Sequence, residues 1–145
     1  MIQVGPAHKS LHPQLVKIAK TSPYTTHFSN TMMFSSDAAY EKGWICAAYD
    51  EDNPSTPLGF YCVRQKVRGD KETMLYFITV LPEYRSSKVG AHLMHHMKDT
   101  SPRSLIRLNV AKANTEAVKF YVRHDFVIVS TEALKGEGYT MEWSE

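Results

Sequence analysis

Cysteine is nearly absent. The chain of 145 residues has two, Cys46 and Cys62. Both sit in apolar runs that read as strands, so they are expected as buried, reduced core residues and not as a disulfide framework. Long apolar runs are missing as well. None approaches the length of about 18 residues needed to span a membrane as a helix. The opening Met1-Ile-Gln-Val-Gly-Pro6 lacks the charged-then-apolar pattern of a secretory signal, and the expected location is the cytoplasm. Charge of one sign is also lacking: 17 basic residues against 15 acidic ones leave a net +2. That argues against nucleic acid as the main partner. No repeat, linker or low-complexity segment breaks the chain, and one domain over residues 1–145 is expected. At this size about 68–70% of the unfolded surface can be buried, enough for a core without staples.

The hydrophobic periodicity then lays out the elements. Ile2 to Val4 reads as a strand. Leu11, Leu15 and Ile18 share a helical face, with Pro13 tolerated in the first turn. The stretch Thr21 to Asn30 is polar and aromatic without steady period. A short helix is expected within Ser36 to Lys42, stopped by Gly43. A three-strand meander follows: Trp44–Tyr49, Leu58–Lys66 and Thr73–Val80. Its turns fall in the acidic loop Asp50–Pro57 and at Arg68-Gly69-Asp70. A helix is expected over Lys88–Lys98, a strand over Leu105–Ala111, a helix over Glu116–His124, and closing strands over Phe126–Ser130 and Tyr139–Trp143. The order is β-α-α-β-β-β-α-β-α-β-β, an α+β sandwich with a mixed, largely antiparallel sheet of about seven strands and about four helices.

The most informative stretch runs from Leu75 to Ala91. An apolar strand ends at Val80-Leu81-Pro82, and Tyr84-Arg85-Ser86-Ser87-Lys88-Val89-Gly90-Ala91 turns into a helix. Free amides at a helix N-terminus make an anion site, and the dipole adds about half a positive charge. Arg85 and Lys88 add whole ones, so the stretch suits a pyrophosphate. With Asn114, Ala117, Tyr121 and Phe126 further on, the chain resembles the GNAT superfamily of N-acyltransferases, which use acetyl-CoA. Val80, Pro82, Arg85 and Gly90 match its motif V-x-P-x-x-R/Q-x-x-G-x-G/A. Asn114, Ala117, Tyr121 and Phe126 match N-x-x-A-x-x-x-Y-x-x-x-G-F in register. Two positions depart: Lys88 and Asp125 each stand where glycine is expected. Lys88 still offers an N–H but gives up close backbone approach and easy positive φ.

The resemblance implies roles. The backbone of Ile78, Thr79 and Val80 would face the pantetheine arm, and the amides from Arg85 to Ala91 would cradle the pyrophosphate. Asn114 would bond near the pantetheine, and it also reads as a helix N-cap. The co-substrate would be acetyl-CoA, with no metal and no membrane partner. Tyr121 would sit near the cofactor sulfur. A phenol at about 10 is a poor acid toward a thiolate at about 8.5, roughly 2 kcal/mol uphill, so a hydrogen bond is as reasonable as proton transfer.

An amine with pKa about 10.4 costs about 4.6 kcal/mol to neutralise at pH 7, and a positioned base supplies part of that. Relatives place a glutamate on the strand before the phosphate loop. Here Met74, Tyr76 and Ile78 share one strand face without a carboxylate. Glu72, at the strand start, is the acid close by and reads otherwise as a solvated turn residue. Tyr76 could hold the amine or a water. For the acceptor wall, the aromatic loop offers Tyr24, His27 and Phe28. His92, His95 and His96 lack the spacing and the glutamate of a zinc helix and read as solvent-facing. The acidic run at Asp50 to Asp52 and the basic run Arg64, Lys66, Arg68, Lys71 read as solvated turns. Two functions remain beside each other: an N-acetyltransferase for a small-molecule or peptide amine, and a non-catalytic acyl-CoA-binding module. A small nucleic-acid-binding domain is the weaker third. A homodimer could form on edge strands or on the C-terminal strand ending at Trp143.

Overall fold

Alternating and helical apolar patterns resolve into seven strands and five α-helices among the residues that a computed structural model of the chain describes: 1–67, 72–85, 87–101 and 105–145, with backbone alone at Met32, Lys66 and Val67. The strands are β1 (Ile2–Pro6), β2 (Ile45–Asp50), β3 (Asn53–Val67), β4 (Glu72–Val80), β5 (Leu105–Ala111), β6 (Val127–Ala133) and β7 (Gly138–Ser144). The helices are α1 (His12–Ala19), α2 (Met32–Ser35), α3 (Asp37–Glu41), α4 (Val89–Thr100) and α5 (Thr115–Arg123). The sheet order is β1-β2-β3-β4-β5-β7-β6. The pairs β1–β2, β2–β3, β5–β7 and β6–β7 are antiparallel, and β4–β5 is parallel. This is the expected mixed α+β sheet, with the one-turn helix α2 added. The chain forms two compact units, Met1–Val63 with Phe77–Asp99, and Arg64–Tyr76 with Thr100–Glu145.

The first unit is held by an aromatic core. Phe28, Phe34, Phe60 and Phe77 are buried with Leu15, Ile18 and Ile45. Phe28 packs at ring centroid distances of 4.9 Å from Phe60 and 5.5 Å from Phe77, and Phe34 meets Phe77 edge-on at 5.9 Å. Such pairs add about 0.5–1.5 kcal/mol each beyond the area they bury. Gly43, at φ +72°, ends the segment after α3 as expected, because only glycine takes that backbone without cost. Both cysteines are free and buried. In the second unit Leu75, Ile106, Leu108, Val110, Phe126 and Met141 are buried.

Two expectations change, and a third falls on residues outside those described. The loop expected over Asp50–Pro57 is shorter, since β3 already begins at Asn53. Register shifts between Ala48, Tyr49 and Asp50 let the strand carry Pro57 opposite Tyr49. The turn expected at Arg68-Gly69-Asp70 lies outside the described residues, as do Lys71 and the side chain of Lys66. The C-terminal strand is no edge: β7 lies between β5 and β6, and β6 takes the edge. There Val127, Ile128 and Val129 are exposed.

Candidate active site

In the first unit, β4 delivers the chain into a 3₁₀ turn, Pro82–Tyr84, and then into α4. Ile78 is half-buried, while Thr79 and Val80 are buried. Beside them β3 carries Gly59, where a Cβ would come within 2.8 Å of the Thr79 carbonyl oxygen and 3.1 Å of Val80 Cα. Backbone stands in the way, so only glycine fits. The sequence reading passed over Gly59, although a glycine inside a strand pattern is the signal that finds it.

The turn uses part of its own hydrogen-bonding capacity. The amides of Arg85 and Ser87 donate to the carbonyls of Pro82 (3.3 Å) and Tyr84 (3.1 Å). The Ser87 hydroxyl accepts from the Val89 amide at 3.4 Å. Among the described residues, the first main-chain bond into the helix runs from the His92 amide to the Lys88 carbonyl at 3.0 Å. Helical geometry places the amides from Lys88 to Ala91 ahead of that bond, and of these Val89 already has the Ser87 hydroxyl as acceptor. Of the expected cradle from Arg85 to Ala91, the amides of Arg85 and Ser87 have acceptors within the turn, and Ser86 lies outside the described residues. Val89 is buried and anchors the helix, whereas Lys88 is exposed. An exposed cation beside helix-start amides is a donor set that fits a diphosphate.

The Arg85 side chain is engaged within the protein. Its Nε donates to the Val80 carbonyl at 2.9 Å and its Nη2 to Thr21 Oγ1 at 3.0 Å. The guanidinium ties the end of β4 to the segment after α1.

In the second unit, Asn114 caps α5: its Oδ1 accepts from the Ala117 amide at 3.4 Å. Tyr121 lies two residues from the helix end, with its ring 5.7 Å from Phe120 and 5.6 Å from Phe126. Burial pushes its phenol pKa well above the ordinary value of 10. That makes Tyr121 a still poorer acid and leaves it protonated, able to donate a hydrogen bond.

Glu72 is not a solvated turn residue. It opens β4 with only 4% of its surface exposed, and its Oε2 lies 3.6 Å from Arg107 Nη1. Arg107 also donates through Nε to Glu142 Oε2 at 2.7 Å and pairs with it through Nη2. Two carboxylates thus share one guanidinium. On the same strand Tyr76 is 40% exposed.

Of the aromatic loop, Tyr24 and His27 are exposed, and the His27 ring lies 4.9 Å from Phe77. Phe28 is a correction: it is fully buried among the core phenylalanines and lines no surface. The alternation of its neighbours gave no warning, because a 3₁₀ turn over Thr26–Asn30 sets which side faces inward. His92 and His95 are exposed as expected, but His96 is half-buried and its Nδ1 lies 2.7 Å from the Tyr61 hydroxyl.

The acetyltransferase (GNAT) family matches residues 10–126 of the chain. A curated protein of Pseudomonas phage PaMx11, "5-NmdU N-acetyltransferase", is 44% identical over 145 residues, covering 99% of this chain and all of its own. Among solved structures, Ard1 from Thermoplasma volcanium superposes with a TM-score of 0.77 at 20% identity, covering 99% of this chain and 97% of its own. PaiA N-acetyltransferase from Thermoplasma acidophilum, solved in complex with coenzyme A, gives 0.71 at 19% identity, covering 100% and 99%. The chain belongs to the acetyltransferase (GNAT) family. It is an enzyme that transfers an acetyl group to an amine, with acetyl-CoA as co-substrate. No helix among the described residues is long and apolar enough to cross a membrane.

Proposed function

We propose that the chain, acting as one catalytic domain over residues 1–145, acetylates the amine of 5-NmdU by direct attack within a ternary complex. The observation that carries this acceptor is the 44% identity, end to end, to the phage "5-NmdU N-acetyltransferase". Acetyl-CoA supplies an activated thioester; the amine nitrogen forms the new C–N bond, the C–S bond breaks, and the amine gives up a proton. The α4 amides from Lys88 to Ala91, with the Lys88 ammonium, hold the diphosphate. The backbone of Ile78, Thr79 and Val80 takes the pantetheine arm, and Asn114 bonds beside it.

Tyr121 donates a hydrogen bond to the departing thiolate. Its raised pKa supports that role over full proton transfer. Tyr76 holds the incoming amine or a water that carries its proton away. Glu72 acts on the same side as an acceptor, with Arg107 keeping it oriented. Tyr24 and His27 wall the acceptor. We place the enzyme in the cytoplasm, in keeping with its two reduced, buried cysteines. For a homodimer the edge strands available for pairing are β1 and β6, and of these β6 exposes Val127, Ile128 and Val129.

The test is product formation. Purified enzyme, acetyl-CoA and 5-NmdU should give N-acetylated product by mass spectrometry, with one free thiol released per acetyl transferred. CoA binding without turnover of 5-NmdU or of any other amine would leave the acyl-CoA-binding module as the better reading.

A further inference from the structure

Strands β4, β5 and β7 carry, beside Tyr76, Glu72 and Arg107, two polar side chains that the reaction above leaves unused: Asn109 and Thr140. Thr73, Met74 and Leu75 of β4 stand beside Ile106, Arg107 and Leu108 of β5. Arg107 is opposite Glu142 of β7, and Asn109 is opposite Thr140. Side chains alternate along strands, so Tyr76 and Asn109 fall on the face that Met74 and Arg107 occupy, one step further on. The result is two parallel rows. One holds Met74, Arg107 and Glu142, with Glu72 at its side. The next holds Tyr76, Asn109 and Thr140.

Asn109 is the unexpected member. Asparagine is disfavoured in strands, and β5 is an inner strand with partners on both sides. It is nevertheless exposed, and its Oδ1 accepts from Thr140 Oγ1 at 2.8 Å. That bond occupies the amide's carbonyl oxygen and leaves its NH₂ group as the donor. Tyr76, one step beyond the Leu75–Leu108 pair on β4, is exposed as well. Local rules are broken most readily where a function is served.

We infer that Tyr76 and Asn109 form the seat of the acceptor's planar ring. Tyr76 stacks on it, and the Asn109 amide donates to a ring carbonyl. This inference rests on the acceptor proposed above.

The test compares three acceptors: 5-NmdU, benzylamine with a ring but no carbonyl, and butylamine with neither. Asn109→Ala should lower kcat/KM for 5-NmdU about tenfold relative to butylamine, mainly through KM. Asn109→Asp, which keeps the shape and removes the donor, should do the same, so a folding defect in one variant does not decide the matter. Tyr76→Leu should lower kcat/KM for both 5-NmdU and benzylamine relative to butylamine. Equal falls for all three amines, or no fall, would overturn the seat. A wild-type enzyme that acetylates benzylamine but not 5-NmdU would overturn the acceptor instead, and the benzylamine-to-butylamine ratio in Tyr76→Leu would then judge the stacking alone.

Discussion

The amide of Phe126 donates to the carbonyl of Tyr121 at 3.0 Å, and the two rings lie 5.6 Å apart. Between them Asp125 donates to the Val122 carbonyl at 3.0 Å with φ at +71°. These are the two backbone bonds and the apolar contact of a Schellman helix end. The residue proposed to meet the thiolate is thus the one gripped by the helix stop.

That arrangement explains the aspartate where the family motif has glycine. The position demands a left-handed backbone, which aspartate tolerates better than most residues but still at a cost. Asp125→Gly should stabilise the protein by about 1 kcal/mol, or roughly 2–4 °C in Tm. Asp125→Val should destabilise it. Thermal melts of the two variants check the pair; an unchanged Asp125→Gly would mean that the left-handed residue carries no strain.

Thr73 is fully buried on β4, and among the described residues its hydroxyl has no hydrogen-bond partner. An unmet buried hydroxyl costs about 1–3 kcal/mol, and a methyl group of the same shape avoids it. Thr73→Val should therefore raise the denaturation midpoint in urea without changing the slope. A lower midpoint would show that the hydroxyl is satisfied after all.

Two histidines give the stability a pH dependence. His12 is held below its usual range by burial and then by nearby Lys9. His96 is lowered by burial, with Asp99 opposing. A lowered folded pKa means that the native state binds fewer protons than the unfolded chain below about pH 6.5. Their contribution is whole above that value and is lost as pH falls through the folded values. Urea midpoints should drop between about pH 7.5 and pH 5, and the combined His12→Gln and His96→Gln variant should show a shallower drop. A slope that the double variant leaves untouched would move the cause elsewhere.

Arg85 and Lys88 separate a brace from a ligand. Arg85→Lys cannot reproduce the fork that reaches both Val80 and Thr21, and should lower Tm while leaving KM for acetyl-CoA nearly intact. Lys88→Ala should raise that KM several-fold with little change in Tm. The reverse pattern would return the phosphate role to Arg85.

Tyr121→Phe keeps the ring packing and removes only the donor. The loss should fall on kcat more than on KM for acetyl-CoA, as expected for an interaction made in the transition state. Unchanged kinetics would remove Tyr121 from the chemistry.

Much of this was legible before any coordinates. The Leu105–Ala111 strand falls where its alternation places it, and Asn114 caps α5 as its position before the helix implies. Gly43 and the proline at the start of α1 marked their boundaries by backbone preference alone. What stayed hidden depends on partners distant in the chain. Glu72 looks solvated until Arg107 is seen beside it. The bonds from Arg85 to Val80 and Thr21 cannot be read from its place in the motif. Phe28 looks like a pocket wall until Phe60 and Phe77 close around it. No local pattern encodes those contacts.

The central claim is that the start of α4 binds the diphosphate of the co-substrate, and titration calorimetry tests it most directly. Folded enzyme should bind one CoA per chain and bind pantetheine, which lacks the diphosphate, at least about tenfold more weakly. Equal affinity for the two ligands, or no heat with CoA from protein shown to be folded, would contradict it.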